Sequence, residues 1–140
     1  MDLQATKCVM VIDDSLPLGV IANIAAIMGI SLGKKTPDIV GVDAKDADGN
    51  PHLGLIQFPV SVLKAPTEKI NQLRSLLYTA DYADVSVIDF SNVAQETYTY
   101  EDFLNRMQES SVKELVYYGL TLAGPKKKIN KITGSLPLLR

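Results

Sequence analysis

The run Lys7-Cys8-Val9-Met10-Val11-Ile12-Asp13-Asp14-Ser15-Leu16-Pro17-Leu18-Gly19-Val20-Ile21-Ala22-Asn23-Ile24-Ala25-Ala26-Ile27-Met28 decides how the rest of the chain is read. Six residues without alternation, several of them β-branched, describe a strand buried on both faces. Asp13-Asp14-Ser15 ends it. Pro17 then suits the start of a helix, where its missing N–H costs nothing. Leu18, Ile21, Ala25, Met28 and Leu32 fall on one helical face and point to the sheet. Val20, Ile24, Ile27 and Ser31 fall on another side. A helix apolar on two sides is usually covered on both. Leu16–Gly33 is too short and too broken by Pro17, three glycines and Asn23 to read as a membrane span of about 20 residues. Met1–Thr6 offers neither the basic start nor the small-residue cleavage site of a signal peptide. The expectation is a soluble cytoplasmic protein without membrane contact.

Outward from that run, Lys34–Gly54 is a long polar connection. Val60–Leu63 reads as a second strand, with Pro59 disfavouring unbroken pairing at its start. Pro66-Thr67-Glu68 opens a helix with Ile70, Leu73, Leu77 and Ala80 on one face. Val85–Ile88 is a third strand, closed by Asp89. Thr99 and Asp102 have capping-box-like spacing before a short helix bearing Phe103, Leu104 and Met107. Leu115–Leu122 is a fourth strand, broken by Gly124-Pro125, with a helical turn near Ile129. The order β-α-β-α-β-α-β predicts an α/β layered domain with a mostly parallel sheet, as one domain over residues 1–140.

The chain has 140 residues, and its 14 Lys and Arg against 16 Asp and Glu leave a net charge of −2. The balance is uneven. The last fifteen residues carry Lys126, Lys127, Lys128, Lys131 and Arg140 with no acid, leaving nine cations against sixteen acids before them. Such a basic end marks either a solvated lysine cluster or a contact with a small anion or, less readily, nucleic acid. The single cysteine rules out a disulfide framework and a multi-cysteine zinc site. The single histidine, His52, rules out HExxH chemistry and reads as a solvated loop residue. Asp46-Ala47-Asp48-Gly49-Asn50 hints at a calcium loop, but placing Gly49 sixth puts Ala44 and Leu55 at the first and twelfth positions, where carboxylates are needed. An Asp-Gly turn fits better. No nucleophile elbow, phosphate-binding loop or dinucleotide fingerprint occurs, and no cofactor or metal is expected.

Asp13, Asp14 and Asp89 close strands on the side where open α/β sheets bind ligands. Two carboxylates beside a helix N-terminus could equally complement its dipole. Ser91 and Gln95 follow Asp89 closely.

These segments together resemble the type II peptidyl-tRNA hydrolase-like superfamily. The likeness rests on Lys7-x-Val-x-Val followed by Leu18-Gly19-x-Ile21-Ala22, on Val60-Ser61-Val62-Leu63-Lys64, on Val87-Ile88-Asp89, and on Gly124-Pro125 through Ile129-x-Lys131-x-Thr133-Gly134-x-Leu136. Asp13-Asp14 with Leu16-Pro17-x-Gly19 and the ending Lys131-x-Thr133-Gly134-Ser135-Leu136-Pro137-Leu138-Leu139-Arg140 look like a branch catalogued as a domain of unknown function, number two thousand. The resemblance implies a three-layer α/β/α sandwich with a four-stranded mixed sheet and one antiparallel strand. It does not carry the activity. The hydrolase motif Gly-Lys-Ile-Ala-Ala-Gln-x-x-His, with its Gly on Gly19, puts Val20 at the lysine, Ile24 at the glutamine and Ile27 at the histidine. Only Asp89 keeps an acidic catalytic position, and Ala94-Gln95 keeps half of a Thr-Gln pair.

Two functions lead, ahead of a divergent peptidyl-tRNA hydrolase to which the basic ending would offer phosphate contacts but whose helix lacks the catalytic set. One is a binding module for a partner or ligand, assembled as a homodimer through the Val20, Ile24 and Ile27 side of the first helix. The other is a hydrolase with relocated chemistry, its catalytic candidates being Asp14, Asp89 and Lys131. The ligand-binding set expected for either comprises Asp13, Asp14, Gly19, Asn23, Asp89, Ser91, Gln95, Lys131, Thr133 and Ser135.

Overall fold

A computed structural model describes residues 2–140. Along the chain lie β1 (Thr6–Ile12), α1 (Leu18–Lys35), β2 (Ala44–Lys45), β3 (Pro51–His52), β4 (Val60–Lys64), α2 (Thr67–Leu77), β5 (Ser86–Ser91), α3 (Asn92–Glu96), α4 (Tyr100–Glu109), β6 (Tyr117–Pro125) and α5 (Lys126–Thr133). Three helices begin directly after a proline: Pro17, Pro66 and Pro125 precede α1, α2 and α5. Thr99 caps α4 by accepting from the Asp102 N–H at 3.1 Å.

Four strands form one mixed sheet in the order β4-β1-β6-β5. β1 is central, which explains its unbroken apolar run. Met10 and Ile12 pack with Ile21, Ile24 and Met28 of α1. Val9 and Val11 point the other way, into a cluster with Ile70 and Leu73 of α2 and Ile129 of α5. Successive side chains of a strand alternate faces, so helices cover both sides.

The expected mostly parallel sheet is corrected. β1 and β4 pair in parallel, Val9 opposite Ser61 and Val11 opposite Leu63. β6 runs antiparallel to both β1 and β5, so two of the three ladders are antiparallel. The helices between β5 and β6 do not carry the chain back over the sheet as a parallel crossover does. Instead β6 reverses direction and enters between β1 and β5. Gly124-Pro125 does not break this strand: β6 continues to Pro125, which lies opposite Thr6.

The expected inner face of α1 holds for Ile21, Met28 and Leu32 and is corrected at two positions, Leu18 and Ile24. Its buried residues are Ile21, Ile24, Met28 and Leu32, whereas Leu18 is 79% exposed. Ile24 therefore belongs to the sheet side and not to an open cleft wall. The cause lies opposite, on β6. A Cβ at Gly119 would come within 2.9 Å of Ile24 Cγ2 and 3.0 Å of Met28 Cε. The glycine lets α1 settle onto β6 at a distance that a side chain would forbid.

The C-terminal residues complete the sheet. Lys64 N–H donates to the Pro137 carbonyl at 3.0 Å, and Leu139 N–H donates to the Val62 carbonyl at 2.9 Å. Leu136 packs on the α2–α5 side and Leu139 on the α1 side. This strap occupies the edge of β4, which would otherwise be open to strand pairing.

Candidate functional site

The structure puts the sequence-selected polar residues in several places. Asp13 is buried, and its carboxylate accepts from the Ser15 N–H at 3.0 Å and the Ser15 hydroxyl at 2.8 Å. That is a turn-forming arrangement between β1 and α1. Asp14 meets Lys64 of β4 at 3.5 Å. Gly19 and Asn23 lie on the exposed side of α1. Ser91 is buried, its hydroxyl 3.9 Å from Met107 Sδ, while Gln95 is exposed. Thr133 is buried and donates to the Ile129 carbonyl at 2.7 Å, whereas Lys131 and Ser135 are exposed. Asp14 reaches the β4 edge and Asp89 stands on β5, with β1 and β6 between them. These carboxylates are not brought together.

Asp89 has its own setting, built by residues that the sequence reading missed. Arg74 of α2 donates from Nε to the Asp89 carboxylate at 2.8 Å. The same guanidinium lies 3.8 Å above the Tyr78 ring. Burial pushes the neighbouring Tyr117 phenol above its ordinary range, and the Asp89 charge adds to the shift. The only sequence signal was periodicity: Arg74 lies next to the apolar stripe of α2, and Asp89 alternates with Ile88 and Phe90. Because Arg74 and Asp89 are both largely shielded, removing one strands the other. Asp89→Ala should lower stability by about 1–3 kcal/mol, since an unsatisfied charged partner remains. Urea denaturation of Asp89→Ala, Arg74→Ala and the double variant would check this. Strict additivity would mean that the pair contributes nothing.

The candidate site borders Asp89. A groove of about 320 Å³ runs between Ile27 and Ser31 of α1, Ile88 and Phe90 of β5, and the stretch from Ala94 through Tyr98 and Tyr100 to Phe103. Its wall is mainly apolar and aromatic. The Thr97 hydroxyl donates to the Val93 carbonyl and Thr99 Oγ1 caps α4, so both are already used locally. Tyr98 and Tyr100 are exposed on its rim. Their place here was not legible, because α3 and the turn after it showed no periodic pattern.

His52 is exposed, as expected of a solvated residue, but it lies in β3 and has a partner. Its Nε2 lies 2.9 Å from Asp46, and that contact chiefly holds the Asp46 carboxyl below its usual range. Asp46 also accepts from the Asp48 and Asn50 N–H groups, both at 2.9 Å, and Gly49 takes φ +83°. The Asp-Gly turn thus closes the β2–β3 hairpin. Among the described residues, no group of three or more His, Cys, Asp or Glu side chains is arranged to hold a metal ion.

Cys8 is fully buried in β1, and burial pushes its thiol up to about 11. The native thiol should resist alkylation at pH 8, because the thiolate is the nucleophile. It should label at full rate in denaturant; rapid labelling of the folded protein would contradict its burial. As pH rises above 9.0, the unfolded thiol loses its proton while the native one keeps it, so this group's contribution falls until about pH 11.

The chain belongs to the family described as protein of unknown function (DUF2000), whose sequence profile matches residues 6–140. No curated protein matches it. A solved structure of a protein of unknown function from Agrobacterium tumefaciens strain C58 is similar, with a TM-score of 0.87 and 19% identity over 97% of this chain and 98% of that one. At that identity the likeness concerns the fold.

Proposed function

We propose that this protein is a non-catalytic binding module on a type II peptidyl-tRNA hydrolase-like framework. It takes an apolar partner surface in the groove beside Ile27, in the simplest case from a second copy of the chain. The sheet with one reversed strand supports the framework, since that is the layout the sequence resemblance implies. The observation that carries the function is the groove's lining. It has no histidine or cysteine, its one acidic residue, Asp89, turns its carboxylate to Arg74 on the α2 side of the sheet, and Ile88 and Phe90 line it from β5. Ligand sites are typically apolar with few polar groups, whereas acid–base catalysis needs a group free to exchange protons. Ile30, 75% exposed, stands one helical turn beyond Ile27 and extends the apolar surface.

Two measurements test this. Purified protein should leave the peptidyl-tRNA ester at its background rate, since losing one positioned electrostatic group costs about 10²–10³ in rate and here Val20, Ile24 and Ile27 stand at three such positions. Turnover that disappears in Asp89→Ala would refute the non-catalytic reading. Sedimentation equilibrium should show concentration-dependent association that Ile27→Glu weakens, with the fold retained. A strict monomer at high concentration would exclude a second copy as the occupant.

A further inference from the structure

A second cavity, unrelated to the groove, lies at the other end of the molecule. It opens where β1 and β4 begin and α5 starts. Leu3, Phe58 and Pro59 give it an apolar wall, and Gln57, Lys7 and Lys126 give it polar and cationic groups. It is an open depression of about 640 Å³, wide enough to admit a small ligand from solvent.

Its charge is one-sided. Among the described residues, two lysines line it and no carboxylate does. Lys7 Nζ donates to the side-chain oxygen of Asn130, a neutral acceptor that leaves the charge uncompensated. Lys126 makes no ion pair among the described residues, whereas Lys128 meets Asp84 at 2.8 Å and Lys64 meets Asp14. Most lysines of this chain make no ion pair among the described residues; what sets Lys7 and Lys126 apart is that both line one concave surface on which no described residue carries a carboxylate. Lys126 also opens a helix whose first turn bears Lys126, Lys127 and Lys128. Cations at that end oppose the helix dipole, and no side chain caps it. An anion seated between Lys7 and Lys126 would offset both charges and favour the start of α5.

We infer that this cavity binds a small organic anion, its phosphate or carboxylate held between Lys7 and Lys126 and its apolar body resting on Phe58 and Pro59. The basic C-terminal segment is then divided in its work. Lys128 serves the fold through Asp84 and the Asp81 carbonyl, and Lys126 serves the ligand.

The test uses the full chain, titrated with phenyl phosphate, benzoate and inorganic phosphate and followed by amide NMR shifts. Phenyl phosphate or benzoate should bind saturably, more tightly than inorganic phosphate, with shifts centred on Lys7, Gln57 and Lys126. Tight binding by phenyl phosphate alone assigns a phosphate ester, and by benzoate alone a carboxylate. Affinity should fall as salt rises. Lys7→Gln with Lys126→Gln should weaken binding by about ten- to hundredfold while the spectrum stays folded. Lys34→Gln with Lys35→Gln, at the end of α1, should leave it unchanged. No saturable shift with any of the three probes would overturn the inference, as would binding indifferent to the Lys7/Lys126 pair.

Discussion

Ile24→Glu should abolish folding and not release a folded monomer from an oligomer. Ile24 has no exposed surface and packs with Met10, Ile12, Met28 and Phe90 over Gly119. Burying an aliphatic side chain of this kind contributes ~1.5–3 kcal/mol, and an unpaired carboxylate there costs several more. A domain stable by about 5–15 kcal/mol does not absorb both comfortably. The milder Ile24→Ala should lose about 2–5 kcal/mol, read as a lower urea midpoint at unchanged slope. Ile30→Glu, on the exposed side of the same helix, should stay within about 0.5 kcal/mol of the wild type. A soluble Ile24→Glu protein with a wild-type midpoint would show that α1 is not seated as described.

Deleting Ser135–Arg140 should be nearly as severe. Leu136 and Leu139 pack on opposite sides of the sheet, and two backbone hydrogen bonds tie the strap to β4. Partial burial of two leucines with two hydrogen bonds amounts to about 3–5 kcal/mol. The deletion also frees the β4 edge, so light scattering should detect aggregation at temperatures where the full chain stays dispersed. An unchanged midpoint without aggregation would mean that the strap is ornamental. The single change Leu139→Asp should reproduce part of the stability loss while leaving the Leu139 backbone bond available, separating packing from edge protection.

The site was less legible than the fold. Asp89 was selected as the residue closing its strand; β5 in fact runs on to Ser91, so Asp89 lies inside it, opposite Leu120, and borders the groove from there. Its actual partner, Arg74, is fifteen residues away on a different element, and nothing in either local pattern links them. The groove's Tyr98 and Tyr100 follow α3, a helix of five residues too short to show a period. The basic ending was visible as a charge run, but not that Lys126 faces a cavity while Lys128 faces Asp84.

Local chemistry by itself determined the longer elements of this protein, though not β2, β3 or α3. The Lys7–Ile12 run is a strand, Ile70, Leu73 and Leu77 share the buried face of α2, Thr99 caps α4, and Asp48-Gly49 turns a hairpin. Each depends on residues a few positions apart, whose interplay is written in the spacing. Tertiary structure alone decided that Ile24 is inside and Leu18 outside on α1, how β6 runs, and what Asp89 touches. Leu18 and Ile24 are both apolar, so hydropathy cannot rank them. The ranking comes from a glycine on β6 that admits Ile24 and Met28, about a hundred positions from the helix it receives. Strand direction likewise depends on where the chain re-enters the sheet, a property of the packed layers and not of any one segment.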